Sequence, residues 1–354
     1  MHPKEITLAL VPQARFDVFD VAQKITLDFD DLLSQYRKAL YCSYHTTAGY
    51  LEQSLCARLR YSREHVAPFM RAFQKLFPPG ESYRHDQLQF RAELTEEQRQ
   101  REPRNADSHL TFIGSGLRNC VTYVNRPGTP VYFIDLDGIH EKGRRIRQTT
   151  VLAYNEEEIV HRTQVAVPVS KHPIDSVNLT DPRNGFMPQL AGLVERSGLD
   201  KGRIDIALDP TERHVGLTVN EYETLLMRYD LADVLRDPLR LVAKQGMRML
   251  RDPMAIPSKT MGYAKYDLVH VFNELMDAFR VSESVVEKIL ASFIRVPAAR
   301  FLRMKRSISF LVSDSEDRRR GRIVQGTYQS PILVQWQRAD HQVRRLDVTI
   351  TRFI

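Results

Sequence analysis

The sequence predicts an α+β fold made of two units of similar design, and three observations carry that prediction. The chain has 354 residues, long for one hydrophobic core and comfortable for two. Runs that alternate with period two, such as Arg203-Ile204-Asp205-Ile206-Ala207-Leu208, are interspersed with apolar residues at helical spacing. The order helix, strand, polar turn, helix of residues 30 to 60 returns after Leu193, which is how an internal repeat reads in sequence.

Each element follows from local pattern. Phe16-Asp17-Val18-Phe19-Asp20-Val21 alternates like a strand, and Asp20 is placed to cap a following turn. A helical stretch through Leu32 and Tyr36 leads to a central strand from Lys38 to Tyr44, with Leu40 and Cys42 on one face and Tyr41, Ser43 and His45 on the other. Leu51, Leu55 and Leu59, then Val66, Phe69, Met70, Phe73 and Phe77, recur at helical spacing around a break near Ser62, and Pro78-Pro79-Gly80 ends the pair. A polar loop from Glu81 to Asn105 follows. Leu110 to Val124 and Pro130 to Ile134 read as strands around the turn Asn125-Arg126-Pro127-Gly128, and Ile146 to Tyr154 closes the first unit as another strand.

The polar stretch from Asn155 to Pro173 marks the boundary, giving units at 1–160 and 161–354. In the second unit a helix ends near Gly198 before the strand Arg203 to Leu208, then Gly216 to Glu223 leads to a helix with Leu225, Leu226, Tyr229, Leu231 and Val234. A helical insertion at about 245–300 follows, with Leu268, Phe272, Leu275 and Phe279 on one helix and a Ser284/Glu287 capping box on the next. Strands at Ile308 to Val312, Ile323 to Val324, Ile332 to Trp336 and Leu346 to Ile354 complete it.

Composition narrows the class. No apolar run has transmembrane length, and the first residues lack the basic flank and cleavage site of a signal peptide, so a cytoplasmic protein is expected. Three cysteines without a Cys-x-x-Cys pair argue for reduced, buried thiols rather than a disulfide scaffold or zinc knuckle. The net charge of +7 is concentrated in residues 295–354, where 13 Lys and Arg face 5 Asp and Glu. Such a segment attracts phosphate or an acidic partner, although a solvated basic face has the same composition. No zinc finger or aromatic RNA-binding motif accompanies it, which leaves nucleic acid a minority reading.

The chemistry gathers at histidines in polar settings: His45 in Tyr44-His45-Thr46-Thr47-Ala48, His85 in Tyr83-Arg84-His85-Asp86, and His109 in Asn105-Ala106-Asp107-Ser108-His109-Leu110. Three neutral imidazoles would leave positions open on a divalent metal, zinc above all, for water or substrate. Thr46, Thr47, Asn105, Asp107 and Ser108 are the kind of polar neighbours that orient such ligands, and they are equally ordinary in turns and caps. Asp137, Arg144, Arg145 and Arg147 form a charged hairpin suited to phosphate. Gly114-Ser115-Gly116 fails as a dinucleotide fingerprint because Asn119 stands at the third glycine and the segment reads as lying between strands.

The motifs His45-Thr46-Thr47-Ala48, Tyr83-Arg84-His85, Asn105-Ala106-Asp107-Ser108-His109-Leu110 and Asp135-Leu136-Asp137-Gly138 resemble, in order and spacing, those of the YjbQ-like family, also called secondary thiamine-phosphate synthases. In the second unit Gly216-Leu217-Thr218-Val219-Asn220-Glu221 and Gly326-Thr327-Tyr328-Gln329 are similar to other stretches of the same family, while Glu212, Arg213 and His214 stand where its histidine and threonines would be. Gln53-Ser54 replaces the family's Asn-Glu in the first unit, so each unit keeps what the other has lost. Two readings stay open: a composite site joining the first unit's histidines to Glu221, Tyr328 or Gln329, or a second unit that has drifted into a scaffold.

The resemblance implies two repeats, each a mostly antiparallel sheet or sandwich with flanking helices, and a homo-oligomer. It also implies a metal held by His45, His85 and His109. Thr46, Thr47, Asp107 and Glu221 would be catalytic; Asn105, Ser108, Asp137, Arg145, Asn220, Tyr328 and Gln329 would bind a small phosphorylated or anionic substrate. The implied activity is a weak thiamine-phosphate synthase reaction, joining a pyrimidine diphosphate to a thiazole phosphate. The rivals are a metal-dependent hydrolase and a non-catalytic assembly or binding protein using the basic C-terminal repeat.

Overall fold

Strand β3 (Lys38–Ser43) shows how the protein is put together, for it is buried on both faces. The structure is a computed structural model describing residues 1–140, 143–236, 302–314 and 320–354. The first unit runs β1 (Lys4–Leu10), β2 (Asp17–Asp20), α1 (Val21–Phe29), β3, β4 (Ala48–Tyr50), α2 (Gln53–Arg58), α3 (Arg63–Leu76), α4 (Glu96–Arg101), α5 (Ala106–Ser115), β5 (Cys120–Val124), β6 (Tyr132–Asp135), β7 (Ile139–His140), β8 (Gly143–Arg144) and β9 (Arg147–Tyr154). The second runs β10 (Glu157–Pro168), β11 (Asp175–Asn178), α6 (Phe186–Ser197), β12 (Gly202–Leu208), β13 (Val215–Asn220), α7 (Leu231–Arg236), β14 (Ser307–Asp314), β15 (Gly321–Val324), β16 (Ser330–Gln335) and β17 (Val343–Phe353).

The repeat is a fact of topology. The larger sheets have the orders β1-β9-β3-β5 and β10-β17-β12-β14-β15, and the smaller ones β2-β6-β4 and β11-β16-β13. Each of the seven strands of the first unit's two main sheets has its counterpart at the same place in the second, with one edge strand, β15, added. All pairings are antiparallel.

Within the first unit the two sheets face each other through aromatic rings. Tyr41 of β3 lies 5.7 Å from Tyr50 of β4, which meets Phe133 of β6 edge-on at 5.1 Å. The other face of β3 looks outward from that core: Leu40 and Cys42 join Cys120, Leu152, Tyr154, Leu311 and Phe353 in a separate apolar cluster. Tyr154 stacks on Phe353 at 3.7 Å, so the large sheets of the two units lie against each other there. A strand covered on both sides carries a continuous apolar run rather than a clean alternation, which is what Ala39 to Cys42 shows.

Most sequence expectations hold. Asp20 caps α1 by accepting from the Gln23 N–H, and Ser62 caps α3 at the expected break. Three differ. Residues 110–115 belong to helix α5, not to a strand: every residue from Ala106 to Ser115 is buried, which erases the stripe that would separate helix from strand. Gly116, with φ of 79°, ends that helix, so Gly114-Ser115-Gly116 follows a helix instead of opening one. The supposed linker contains β10, twelve residues along β17; one of its faces is exposed while Val165 and Val167 on the other join the second unit's core, and the change of sheet falls between Tyr154 and Glu157. The helical insertion expected at 245–300, with its Ser284/Glu287 capping box, lies outside the described residues. Among the described residues no helix is long and apolar enough to cross a membrane.

Candidate metal centre

The loop after α3 carries His85, and the second unit fixes it. The backbone N–H groups of Arg84 and His85 both donate to the Asp230 carboxylate, at 2.9 Å each. The ring Nδ1 lies 2.9 Å from Glu223 Oε2. Burial pushes the Glu223 carboxyl up, but His85 and the Leu225 and Leu226 N–H groups outweigh it and hold it below its ordinary range. An ionised acceptor there keeps a proton on Nδ1; burial works against charging the ring, but Glu223 and Glu221 outweigh it and raise its pKa, so a cation would take Nε2 in place of a second proton. That Nε2 is buried and has no hydrogen-bond partner among the described residues.

His109, on α5, is set in the same way by an amide. Asn220 donates through Nδ2 to Thr46 O at 2.8 Å, and its Oδ1 accepts the Glu221 N–H at 2.9 Å. Oδ1 is therefore the end that meets His109 Nδ1 at 2.7 Å, so Nδ1 carries the proton and Nε2 the lone pair. Burial, then His85, holds the His109 imidazole well below its ordinary pKa, so it is neutral, as a ligand must be. Its Nε2 lies 3.7 Å from Glu221 Oε2, and the two rings meet edge-on at 5.2 Å.

Glu221 completes the group. Its other oxygen accepts from Arg91 at 2.8 Å, and Arg91 also reaches Glu93 and Glu102. Burial raises the Glu221 carboxyl while His85 and Arg91 work against that rise. One ligand atom from each of His85, His109 and Glu221 lies within 4.8 Å of the other two. Two imidazoles with opposed nitrogens already tethered, one of them buried without a partner, and one carboxylate are a fitting donor set for zinc.

The structure brings two of the three expected histidines together and supplies the third donor from the other repeat. His45 stands apart: its Nε2 accepts the Gln148 N–H at 2.9 Å. Burial, then Arg147 and Arg145, lowers its pKa to about 3, so the ring is neutral, with its one lone pair already in use. In the second unit Glu212 occupies the corresponding corner and accepts the Arg345 N–H at 2.9 Å. Exchanging histidine for glutamate there preserves an acceptor for a strand end.

A cavity of about 490 Å³ opens beside the cluster, lined by Thr46, Asn105, His109, Arg145, Glu221 and Tyr328 among others. Arg145 and Asn105 both donate to Asp137 Oδ2, at 2.6 and 2.8 Å, which aligns them on one wall, and exposed Tyr328 stands at the rim. The remaining expected residues support the wall. Ser108 donates to Leu136 O at 2.9 Å, and Thr47 accepts from Arg147 at 3.4 Å. Asp107 pairs with Arg15 at 2.8 Å, burial raising its pKa to about 6. Gln329 donates to Ser43 O and His45 O at 2.9 and 3.0 Å, clamping the loop that ends in Thr46. Arg147 is committed to Asp135 at 2.7 and 2.8 Å and is buried, which removes it from the phosphate hairpin.

Sequence reasoning missed Glu223, Asp230 and Arg91. Glu223 had a signal, a second acid two residues beyond Glu221 in the same turn, whereas Asp230 and Arg91 reach the site only through tertiary contacts.

No family model and no curated protein matches the chain. Among solved structures it is similar to a YbjQ-like protein of unknown function from Sulfolobus solfataricus, with 17% identity, 56% of this chain and 99% of that chain covered, and a TM-score of 0.28. A hypothetical protein from Aeropyrum pernix gives 15% identity, coverage of 54% and 97%, and a TM-score of 0.28. An uncharacterized conserved protein of the YjbQ/UPF0047 family from Clostridium acetobutylicum gives 16% identity, coverage of 53% and 98%, and a TM-score of 0.25.

Proposed function

We propose that the protein is a metal-dependent enzyme acting on a small phosphorylated or anionic substrate, with its metal held by His85, His109 and Glu221. The observation that carries this reading is the buried Nε2 of His85, without a hydrogen-bond partner among the described residues, whose ring is turned toward His109 and Glu221 by Glu223. A buried polar atom without a partner is costly, and a cation removes that cost. A zinc ion would supply a Lewis acid for a phosphoryl or carbonyl oxygen.

The chain's own residues do the rest. Arg145 presents its guanidinium to the cavity while Asp137 fixes its direction, giving an anionic group one cationic contact in a lining that also holds Arg101, Glu97 and Glu102. Arg91 balances the charge of Glu221 from behind, and Asn220 holds both His109 and the Thr46 loop. The finer form of the proposal is transfer between two phosphorylated partners, with Arg145 facing the departing pyrophosphate. Within the basic C-terminal segment four cations are already engaged: Lys305 is buried, Arg344 pairs with Glu212, Arg352 with Glu158, and Arg306 with backbone carbonyls.

Elemental analysis tests the centre. The wild type is expected to hold about one equivalent of zinc per chain, lost in His109→Ala and Glu221→Ala and kept in His45→Gln. Loss of metal in His45→Gln with retention in Glu221→Ala would overturn the ligand set. Arg145→Ala is expected to keep the metal and weaken pyrophosphate binding about tenfold or more, measured by calorimetry.

A further inference from the structure

Cys42 and Cys120 face each other across adjacent strands, and neither takes part in the centre just described. They are directly paired in the β3–β5 register, with 3.0 Å between sulfurs. The next pair along is hydrogen-bonded, since Ser43 N–H donates to Asn119 O at 2.7 Å, so Cys42 and Cys120 occupy the intervening pair without backbone hydrogen bonds. At such positions the Cα atoms approach to about 4.5 Å and side chains stand closest, within the range a disulfide spans. Only about 1 Å of sulfur movement separates the two thiols from bond length. Cys56, the third thiol, is buried in the other core beside Tyr123 and offers an internal comparison.

We propose that Cys42 and Cys120 are a cross-strand redox pair that a peroxide converts to a disulfide. The steps balance: one thiol attacks the peroxide oxygen, giving a sulfenic acid and water, and the second thiol attacks that sulfur, forming the S–S bond and releasing a second water. Two thiols are oxidised by two electrons and one hydrogen peroxide is reduced. The pair lies under Leu311 and Phe353, so oxidant reaches it when the contact between the two large sheets opens. Burial also pushes the Cys42 thiol up, which makes the pair slow while that contact is closed.

The position gives the bond a consequence. Cys42 is two residues before the loop that carries His45 and Thr46, and Cys120 follows α5, which carries His109, by a short connection. A disulfide would staple together the two segments that present the first unit's side of the cavity.

The test treats reduced, desalted full-length protein with hydrogen peroxide, in buffer and in urea just below the unfolding midpoint, then alkylates it in denaturant and maps peptides without reductant. The expected result is a Cys42–Cys120 linked peptide, formed faster in urea, reversed by dithiothreitol, with Cys56 alkylated throughout and Tm raised in the oxidised protein. In Cys120→Ser, dimedone should trap a sulfenic acid on Cys42 with no disulfide formed. Cys42 and Cys120 both remaining alkylatable in urea, or links appearing through Cys56 or between chains instead, would overturn the proposal; the wild-type map decides it even if the variant does not fold.

Discussion

His45 serves as an acceptor that pins the start of β9, and its neutrality has a measurable cost in acid. Its pKa is lowered to about 3 in the fold against about 6.5 when unfolded, so the unfolded chain takes up a proton that the fold refuses. Stability owed to neutral His45 is complete above that unfolded value and is lost as pH falls from about 6.5 toward 3. His45→Gln, which keeps an acceptor but does not titrate, should show a shallower loss of stability in chemical denaturation over that window; an unchanged slope would mean that other groups set the acid limit. Lys305 works in the opposite range. Burial, then Arg118, holds its amine well below its ordinary pKa, with Thr218 Oγ1 at 3.3 Å and the Phe112 ring beside it. The unfolded chain again binds the extra proton, so the penalty is present at neutral pH and fades as pH rises toward 10.5. Lys305→Met should therefore raise Tm at pH 7 and flatten the alkaline rise.

Elements that pass between the two units carry the site, and their fit is tightest at Gly326. A Cβ there would lie 2.0 Å from the backbone oxygen of Tyr44, an atom that cannot move without displacing the Thr46 loop. Gly326→Ala is expected to cost about 1–3 kcal/mol in chemical denaturation and to loosen zinc as well; an effect on stability alone would show that the loop and the metal are independent. How much of this was legible varies with the element. Half-buried strands such as β12 announced themselves by alternation, and caps such as Asp20 and Ser62 by residue type. Helix α5 did not, because burial on all sides leaves no periodicity to read, and β10 did not, because the acidic run Glu156-Glu157-Glu158 and the prolines Pro168 and Pro173 masked the alternation of Val165 and Val167. All three histidines stood out by their polar settings, but only His85 and His109 come together; sequence could not show that the lone pair of His45 is taken by the Gln148 N–H.

At the scale of the whole molecule, the chain folds one topology twice and then divides the labour between the copies. The histidines come from the first unit, and Glu221, Glu223, Asn220 and Asp230 from the second. That complementarity was visible in sequence as motifs kept in one half and lost in the other; what sequence could not give was the facing of the halves, which depends on apolar surfaces such as Leu152, Tyr154, Leu311 and Phe353 meeting across the large sheets.

A centre assembled in this manner also acts as a check on the chain that bears it. Among the described residues the three donors come from both halves, so on the proposed reading a misdocked molecule would not retain an ion tightly, and zinc, if held there, would report that the halves have met in register. Duplication would ordinarily double the number of sites; a single centre shared by both copies would instead be conditional on correct assembly, so that loading and folding would be counted in the same step.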